Sequence, residues 1–183
     1  IATKHASTQR ILIELINGLR LPNQGLLEFN DHDVSDIDLF NLRSKISIID
    51  NSDFLEGTVL EYLTFNSKKI SQKQINEVLE ITGLDLVLSR FEEGVNLRII
   101  PSGWPFSESE KLLLKTARTL LLEPKIIIIT EVFDMLNLAM RQRIIKYLTK
   151  DHDACLIYFS NRLDEFESFD FYGFIKYKKM INF

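Results

Sequence analysis

The sequence has very little cysteine and no excess of basic charge. The single cysteine, Cys155, excludes a disulfide framework, and its position in the apolar run ACLIYF leads us to expect a buried, reduced thiol. There are 22 lysines and arginines against 26 aspartates and glutamates, a net charge of −4 that argues against a nucleic-acid partner. The histidines His5, His32 and His152 lack the spacing of metal ligands. We therefore expect three surface histidines and no metal site.

Long hydrophobic runs and targeting signals are also missing. No window approaches the ~18 apolar residues of a membrane span, and no signal peptide precedes the first predicted helix. The chain contains no internal repeat and no low-complexity segment, and its 183 residues can build one good-sized domain with a small subdomain. It begins at Ile1-Ala2 without a methionine, so we expect a segment of a longer polypeptide or a chain that lacks its start.

What the sequence does contain is a run of four consecutive isoleucines. It lies within residues 125–137, KIIIITEVFDMLN, and ends before the acidic Glu131. Such a run is typical of a central strand in a parallel sheet covered on both faces. Its carboxyl end should open into the crevice where α/β sheets place their ligands. A carboxylate there is well placed to act on a phosphate or a water, although Glu131 alone could equally be a solvated strand end.

Strands and helices alternate along most of the chain. The pattern predicts helices at residues 9–18, 39–43, 58–65, 71–82, 84–91, 107–121, 138–148 and 163–166, and strands at 25–29, 45–49, 126–129, 154–159 and 173–177. Ser71 is a possible N-cap, and Ser107 with Glu110 matches a capping box. This alternation predicts an α/β fold with a largely parallel sheet. The helix-rich stretch 58–122 interrupts it and is predicted to form a helical subdomain, leaving residues 1–57 and 123–183 as the α/β core.

Several segments follow one another in an informative order: DVSDIDLFNLRSKISII at 33–49, FLEGTVLEYL at 54–63, FEEG at 91–94, and the continuous run from SGWPFSESEK to FDMLN at 102–137. In this order they resemble the nucleotide-binding domain of ABC transporters, the exporter type in particular. The first is similar to the family's D-I-x-D-x-D-L-x-x-L-R-x-x-I-x-x-V, the second to L-F-x-G-T-I-x-E-N-L and the third to L-P-x-G. The last runs parallel to the signature helix, the Walker B strand and the D-loop. The resemblance, from residue 3 to about 165, implies a P-loop NTPase-like ABC ATPase core, its N-terminal strands missing, plus a helical subdomain.

The phosphate-binding loop of the family would fall on residues 3–11, TKHASTQRI. A phosphate loop needs glycines so that backbone N–H groups can approach the oxygens. Thr3, Ala6 and Thr8 stand at the glycine positions, and their side chains penalise that approach and the positive φ angles that glycine allows. On this resemblance the loop has lost the backbone freedom that phosphate binding requires.

The charged and metal-binding positions of the same loop are exchanged as well. Gln9 replaces the lysine that reaches the β- and γ-phosphates, and Arg10 replaces the Ser/Thr that ligates Mg²⁺, with Ile11 following. Arg10 or Lys4 could still offer positive charge to a phosphate. A solvated surface charge is the simpler interpretation of both.

The Q-loop and signature positions differ from the family in a similar way. Asp50 stands where a glutamine would contact metal and water; a carboxylate could ligate Mg²⁺ but would also repel the γ-phosphate. The signature L-S-G-G-Q reads FSESE at 106–110, so Ser107 is retained while Glu108 and Ser109 replace the glycines. Glu108 would bring negative charge against a phosphate bound by a partner domain.

At three more positions of the family's nucleotide site this chain has a different residue, and at one position it has the same residue. Thr130 replaces the Walker B aspartate that orients Mg²⁺, Asn137 the D-loop aspartate, and Asn161 the switch histidine. Only Glu131, at the position of the catalytic base, is retained, which makes it the single candidate catalytic residue. Because a general base without a positioned phosphate and metal has little to activate, a strand-end carboxylate is the simpler interpretation.

The simplest interpretation of the whole chain is a degenerate, non-hydrolysing nucleotide-binding domain of an ABC exporter that is retained for its shape. The resemblance implies two partners, an ABC transmembrane domain and a second nucleotide-binding domain in a homo- or heterodimer. Residues 52–65 are similar to the surface that receives the coupling helices of the membrane domain. The resemblance further implies a place at the cytoplasmic face of a membrane, within a longer membrane-protein chain. ATP and Mg²⁺ are not required as cofactors, although weak binding stays open.

Two alternatives remain at the level of sequence. The chain could be a still-active ATPase that uses Glu131 with unusual ligands such as Asp50 and Arg10, which requires Mg-ATP turnover. It could also be a soluble binding or scaffold module that has left transport. A membrane-spanning region immediately upstream of Ile1 would exclude the scaffold module.

Overall fold

Strands and helices alternate in the structure, a computed structural model that describes residues 1–3, 6–67, 69–150, 153–162, 169–176 and 179–182. The helices are α1 (Ala6–Ile16), α2 (Leu39–Ser44), α3 (Val59–Thr64), α4 (Gln72–Thr82), α5 (Leu84–Leu88), α6 (Glu108–Leu122) and α7 (Leu138–Lys150). The strands are β1 (Ala2–Thr3), β2 (Glu28–Phe29), β3 (His32–Asp33), β4 (Ile46–Ile49), β5 (Gly57–Thr58), β6 (Arg98–Ile99), β7 (Ile126–Ile129), β8 (Cys155–Tyr158), β9 (Gly173–Lys176) and β10 (Lys179–Asn182). Within these ranges, no helix combines the length and the apolar character that crossing a bilayer would need.

The isoleucine strand β7 is the centre of a parallel three-stranded sheet. It lies between β4 and β8, and its register places Ile129 opposite Ile49 on one side and Tyr158 on the other. Residues 127–129 are fully buried. The predicted α/β fold with a parallel sheet and a buried central strand is therefore confirmed.

A second sheet adjoins the end of β8. In it β1 runs parallel to β9, and β10 runs antiparallel to β9. The Ser160 N–H donates a hydrogen bond of 3.1 Å to the Ile1 carbonyl, and the Ile1 nitrogen donates one of 2.6 Å to the Tyr158 carbonyl. These two bonds bring β1, and with it the start of α1, beside the carboxyl end of the central sheet.

Local capping chemistry explains where several helices begin. Ser71 caps α4 with Gln74, and Ser107 caps α6 with Glu110, each in a reciprocal capping box, as the sequence predicts. Thr58 and Glu61 form a third capping box at the start of α3. At the end of α4, Gly83 takes a left-handed conformation with φ of +72°, which glycine adopts without a steric penalty.

Helix α6 joins the sheet to three of the helices. It packs against α3, α4, α5 and β4. Leu112, Leu114 and Ala117 on its inner faces belong to a hydrophobic cluster that also contains Ile127 and Ile129 of β7. The buried face of α6 therefore packs against the central sheet. The division of the chain at residues 57 and 123 into core and helical subdomain stays a prediction.

The structure corrects the expectation of a buried cysteine. Cys155 is exposed. It is the first residue of β8, and β1 meets that strand only near its carboxyl end, at Tyr158 and Ser160. Burial along β8 accordingly rises from Cys155 to Tyr158. An apolar run thus places a residue in a strand without showing which of its ends is covered.

Several predicted boundaries also change. Helix α1 begins at Ala6 rather than at residue 9, the strand predicted at 25–29 shrinks to β2, and the antiparallel strand β10 was not predicted. His32 is exposed, as expected. The helix predicted at 163–166, His5 and His152 lie outside the described residues.

Candidate functional site

The carboxyl edge of the central sheet gathers most of the sequence-predicted site residues. The Thr130 N–H donates to the Ile49 carbonyl at 3.1 Å, and the Phe159 N–H donates to the Ile129 carbonyl at 2.8 Å. Asp50, Thr130 with Glu131, and the loop containing Asn161 therefore follow three adjacent strands at one edge. Open α/β sheets bind their ligands at such an edge.

Thr130 is committed to a bond within the sheet. The residue is 5% exposed, and its Oγ1 donates to the Ile49 carbonyl at 3.0 Å. A neutral hydroxyl whose proton is already donated brings no charge to a divalent cation, and Mg²⁺ is usually bound through one or two carboxylates together with phosphates and water.

Glu131 carries a buried polar atom without a hydrogen-bond partner in the described part of this edge. It opens a 3₁₀ turn, Glu131–Met135, directly after β7. Its Oε2 is buried and has no hydrogen-bond partner among the described residues. A buried carboxylate oxygen without a donor is uncommon and needs an explanation such as a catalytic role or an unplaced water. The position is therefore compatible with the predicted role of general base, which stays a prediction.

The first turns of α1 offer little positive charge to this edge. The Arg10 Nε lies 2.8 Å from Glu14 Oε1 in an exposed ion pair, and Arg20 pairs with the same carboxylate at 3.0 Å. The hydrogen bonds from Arg10 and then Arg20 lower the pKa of Glu14 below its usual value. Gln9, at the predicted position of a phosphate-binding lysine, is buried. Thr8 is partly buried, and Ile11 is exposed.

The signature-like residues lie away from the sheet edge. Ser107, Glu108 and Ser109 stand at the start of α6, roughly 12 Å along the helix axis before Lys115, which contacts the edge. The Ser107 N–H donates to Glu110 Oε2 at 2.9 Å, and Glu108 pairs with Lys111 at 2.7 Å. The structure therefore separates these three residues from Asp50, Thr130 and Glu131.

Glu110 makes the start of α6 acidic rather than receptive to a phosphate. Partial burial raises the pKa of its carboxyl, but hydrogen bonds from the Ser107 backbone and hydroxyl, together with Arg90, outweigh this and leave the pKa below its usual value. With Glu108 beside it, the first turn of α6 carries two carboxylates. Their charge opposes the binding of an anion at this helix start.

We expect Ser107→Ala to lower the free energy of unfolding by about 1 kcal/mol, because the mutation removes the side-chain half of the α6 capping box. Urea unfolding followed by circular dichroism measures the change. Ser109→Ala is the matched control, since Ser109 lies in the same turn and does not form the cap. A loss for Ser109→Ala as large as that for Ser107→Ala would contradict the assignment of the cap.

Two polar networks at this edge were missed by the sequence reasoning. Lys115 of α6 is 6% exposed, and its Nζ donates to the Asp50 carbonyl at 2.6 Å and to the Ser52 carbonyl. A lysine three residues after Leu112, within the apolar run of the predicted helix, was the available signal. Burial lowers the pKa of Lys115, and nearby carboxylates, with Asp50 first among them, only partly offset this.

The second network is centred on Asp134. Its carboxylate accepts hydrogen bonds from the Tyr158 hydroxyl, from Ser160 Oγ at 2.8 Å and from the Asn161 N–H at 2.9 Å. The Asp134 network, as we call these residues, ties the turn after β7 to the loop after β8. Asn161 is thus held through its backbone. Asn137 is not part of this network. Its Oδ1 accepts a hydrogen bond from the Met140 N–H at 2.9 Å and caps α7.

At this edge, neither the predicted metal position nor the predicted lysine position carries a charged side chain. The position predicted to hold the metal is the neutral, hydrogen-bonded Thr130, and the position predicted to reach the phosphates is the buried, neutral Gln9. Arg10, the basic residue of α1, pairs with Glu14. No group of three or more acidic, histidine or cysteine side chains in the described part of the chain is arranged to hold a metal ion.

Comparison with known proteins places this geometry in context. The fold matches the structure of a bacterial Atm1-family ABC exporter with ATP bound, with a TM-score of 0.86 and 17% identity, over 97% of this chain and 31% of that chain. The chain has the fold of an ABC exporter's nucleotide-binding domain. It is 25% identical over 173 residues to the putative export ATP-binding/permease protein RT0691 of Rickettsia typhi, covering 93% of this chain and 30% of that protein.

Other ABC proteins are similar over shorter stretches. The chain is 35% identical over 111 residues to the vacuolar heme ABC transmembrane exporter abc3 of Schizosaccharomyces pombe, covering 60% of this chain and 8% of that protein. It is 28% identical over 137 residues to the ABC transporter ATP-binding protein YknV of Bacillus subtilis, covering 73% of this chain and 23% of that protein. The chain matches no protein-family model. It spans less than a third of the length of these curated relatives.

Proposed function

We propose that the chain is a degenerate nucleotide-binding domain of an ABC exporter, one that does not hydrolyse ATP and serves in dimerisation and in coupling to a membrane domain. The observation that carries the proposal is Thr130, whose neutral hydroxyl occupies the metal-orienting position and donates to the Ile49 carbonyl. The buried Gln9 at the lysine position supports it. The relatives named as export ATP-binding/permease proteins support the exporter setting.

The surface proposed to couple to the membrane domain is a shallow depression of about 240 Å³ next to α3. We call it the coupling surface, and it is lined by Leu55, Glu56, Glu61, Tyr62, Phe65 and Asn66. The Arg118 guanidinium of α6 lies 3.6 Å from the centre of the Phe65 ring and 4.7 Å from that of Tyr62. These stacking contacts fix both rings, so the surface is organised before a partner binds. In this proposal the domain lies at the cytoplasmic face of a membrane.

Residual ATPase activity is the second candidate, favoured by the buried Oε2 of Glu131 that lacks a partner. Two observations weigh against the unusual ligands that this candidate needs. Arg10 is paired with Glu14, and Asp50 Oδ1 accepts a hydrogen bond from the Ser52 N–H at 2.9 Å. A general base without a held phosphate has little to act on.

The proposal predicts that nucleotide does not bind with ordinary affinity. We expect the full-length protein, titrated with a fluorescent ATP analogue with and without Mg²⁺, to show no saturable binding up to about 1 mM, which corresponds to less than about 4 kcal/mol of binding free energy. An active ABC exporter titrated in parallel provides the positive control. Micromolar, Mg-dependent binding that Glu131→Gln or Asp50→Asn alters would overturn the proposal and support the second candidate.

A further inference from the structure

The loop that follows β4 is held by a charged side chain from helix α6. Lys115 lies in the middle of α6, and its side chain reaches out of the apolar interior to the loop at residues 50–54. Its Nζ donates to the Asp50 and Ser52 carbonyls, lies 3.4 Å from Ser52 Oγ and stands 3.9 Å from Asp50 Oδ1. Oxygen atoms of this kind are the ones that surround a bound cation. The Lys115 ammonium therefore occupies, among these oxygens, the place that a bound cation would take.

The same loop leads directly to the coupling surface. The Lys115 ammonium lies 5.2 Å from the centre of the Phe54 ring. Phe54 is 5% exposed, and its ring centre is 4.8 Å from that of Tyr62, which lines the coupling surface. The Phe54 N–H is itself bonded to the Pro101 carbonyl at 2.9 Å. A continuous set of packed groups therefore runs from the sheet edge at Asp50 through Phe54 to Tyr62.

We infer that Lys115 is a tethered cation that locks the 50–54 loop against α6, so that the connection between the sheet edge and the coupling surface is rigid without nucleotide. The lock follows from the contacts of Lys115; its meaning for coupling rests on the proposed function. A charge buried this deeply is stable only while its oxygen partners stay in place. Opening the loop would leave the ammonium without partners inside an apolar helix packing, which strongly opposes the opening.

Hydrogen exchange in the nucleotide-free, full-length protein tests the lock. The informative amides are those of Ser52 and Phe54, which are bonded inside or beside the loop. In Lys115→Met, which keeps the length and removes the charge, we expect exchange of both amides to become about tenfold faster or more. Amides of the central strand β7 should stay within about twofold of wild type. Lys115→Arg, which retains a cation with several donors, should show a smaller acceleration.

Lys111→Met is the matched control, because Lys111 lies one turn earlier on α6 and pairs with the exposed Glu108. It should leave exchange in the loop unchanged. Loop exchange in Lys115→Met within twofold of wild type would overturn the inference. If Lys115→Met does not fold, the wild-type protein decides, since loop amides that exchange at unprotected rates would equally overturn it. Neither outcome depends on nucleotide, so failure of the lock and failure of the proposed function are separate results.

Discussion

Asp134→Ala is expected to lower the free energy of unfolding by about 3 kcal/mol, which makes this partly exposed carboxylate one of the most important polar side chains of the domain. It accepts three hydrogen bonds, from the Tyr158 hydroxyl, Ser160 Oγ and the Asn161 N–H. Hydrogen bonds to a charged acceptor are each worth about 1.5–3 kcal/mol. The three do not add fully, because water can replace the carboxylate at two of them.

Tyr158 is the reason that the loss stays large. The residue is 5% exposed and its ring packs edge-on against Phe133, with ring centres 6.1 Å apart. Water cannot readily reach its hydroxyl after the mutation, so a buried donor would be left unsatisfied. Ser160 and Asn161 lie closer to solvent, so water can accept their hydrogen bonds in place of Asp134 with a smaller loss of free energy.

Chemical unfolding of three variants checks this assignment. Asp134→Asn, the control, keeps the size of the side chain but replaces one acceptor by a donor facing the Asn161 N–H, and we expect about half the loss of the alanine variant. Tyr158→Phe should remove only the Tyr158 bond. A loss below about 1 kcal/mol for Asp134→Ala would contradict the view that Asp134 supports the buried hydroxyl.

The alkaline limb of the stability curve gives an independent readout. Burial, and then the hydrogen bond to Asp134, raises the pKa of Tyr158 above its ordinary value of 10.0. Because the folded-state pKa is the higher one, the contribution is fully present below about pH 10 and is lost as the pH rises further. Tyr158→Phe should flatten this limb. Burial also raises the pKa of Tyr62, so Tyr62→Phe should flatten it partly.

The fold was predictable where the signal lies in neighbouring residues. The isoleucine run marks β7, and Ser71 and Ser107 mark helix starts through partners three residues away. Strand ends of a parallel sheet share one edge, so the gathering of Asp50, Thr130 and Asn161 could also be anticipated.

The bonds made at that edge could not be anticipated in the same way. Lys115 contacts carbonyls that are 63 and 65 residues earlier in the chain, and Asp134 contacts groups 24 to 27 residues later. A backbone carbonyl is present at every residue, so the residue types in the sequence do not indicate which carbonyl will accept a hydrogen bond from a side chain. The exposure of Cys155 likewise depends on which strand lies beside β8. Side-chain direction and distant packing therefore decide the chemistry of a site whose position is set locally.

The largest functional effect is expected from Leu55→Asp on the coupling surface. Leu55 is 55% exposed in this chain, so its replacement should change the free energy of unfolding by no more than about 0.5 kcal/mol. In the proposed complex the same position would be covered by the membrane domain. A carboxylate buried there without a partner would cost about 2 kcal/mol or more of interface free energy, enough to reduce docking at least tenfold.

Thiol labelling of the full-length protein measures docking directly. A cysteine introduced by Glu56→Cys reports on the coupling surface, and the exposed Cys155 serves as the reference in the same sample. We expect slow labelling at position 56 when Leu55 is intact, and labelling about tenfold faster in Leu55→Asp, with the rate at Cys155 unchanged. Leu86→Asp is the matched control, since Leu86 is 73% exposed on α5 and does not line this surface. An equal labelling rate at position 56 in Leu55→Asp and Leu86→Asp would contradict the placement of Leu55 in the contact, because a buried charge there could not be tolerated without loss of affinity.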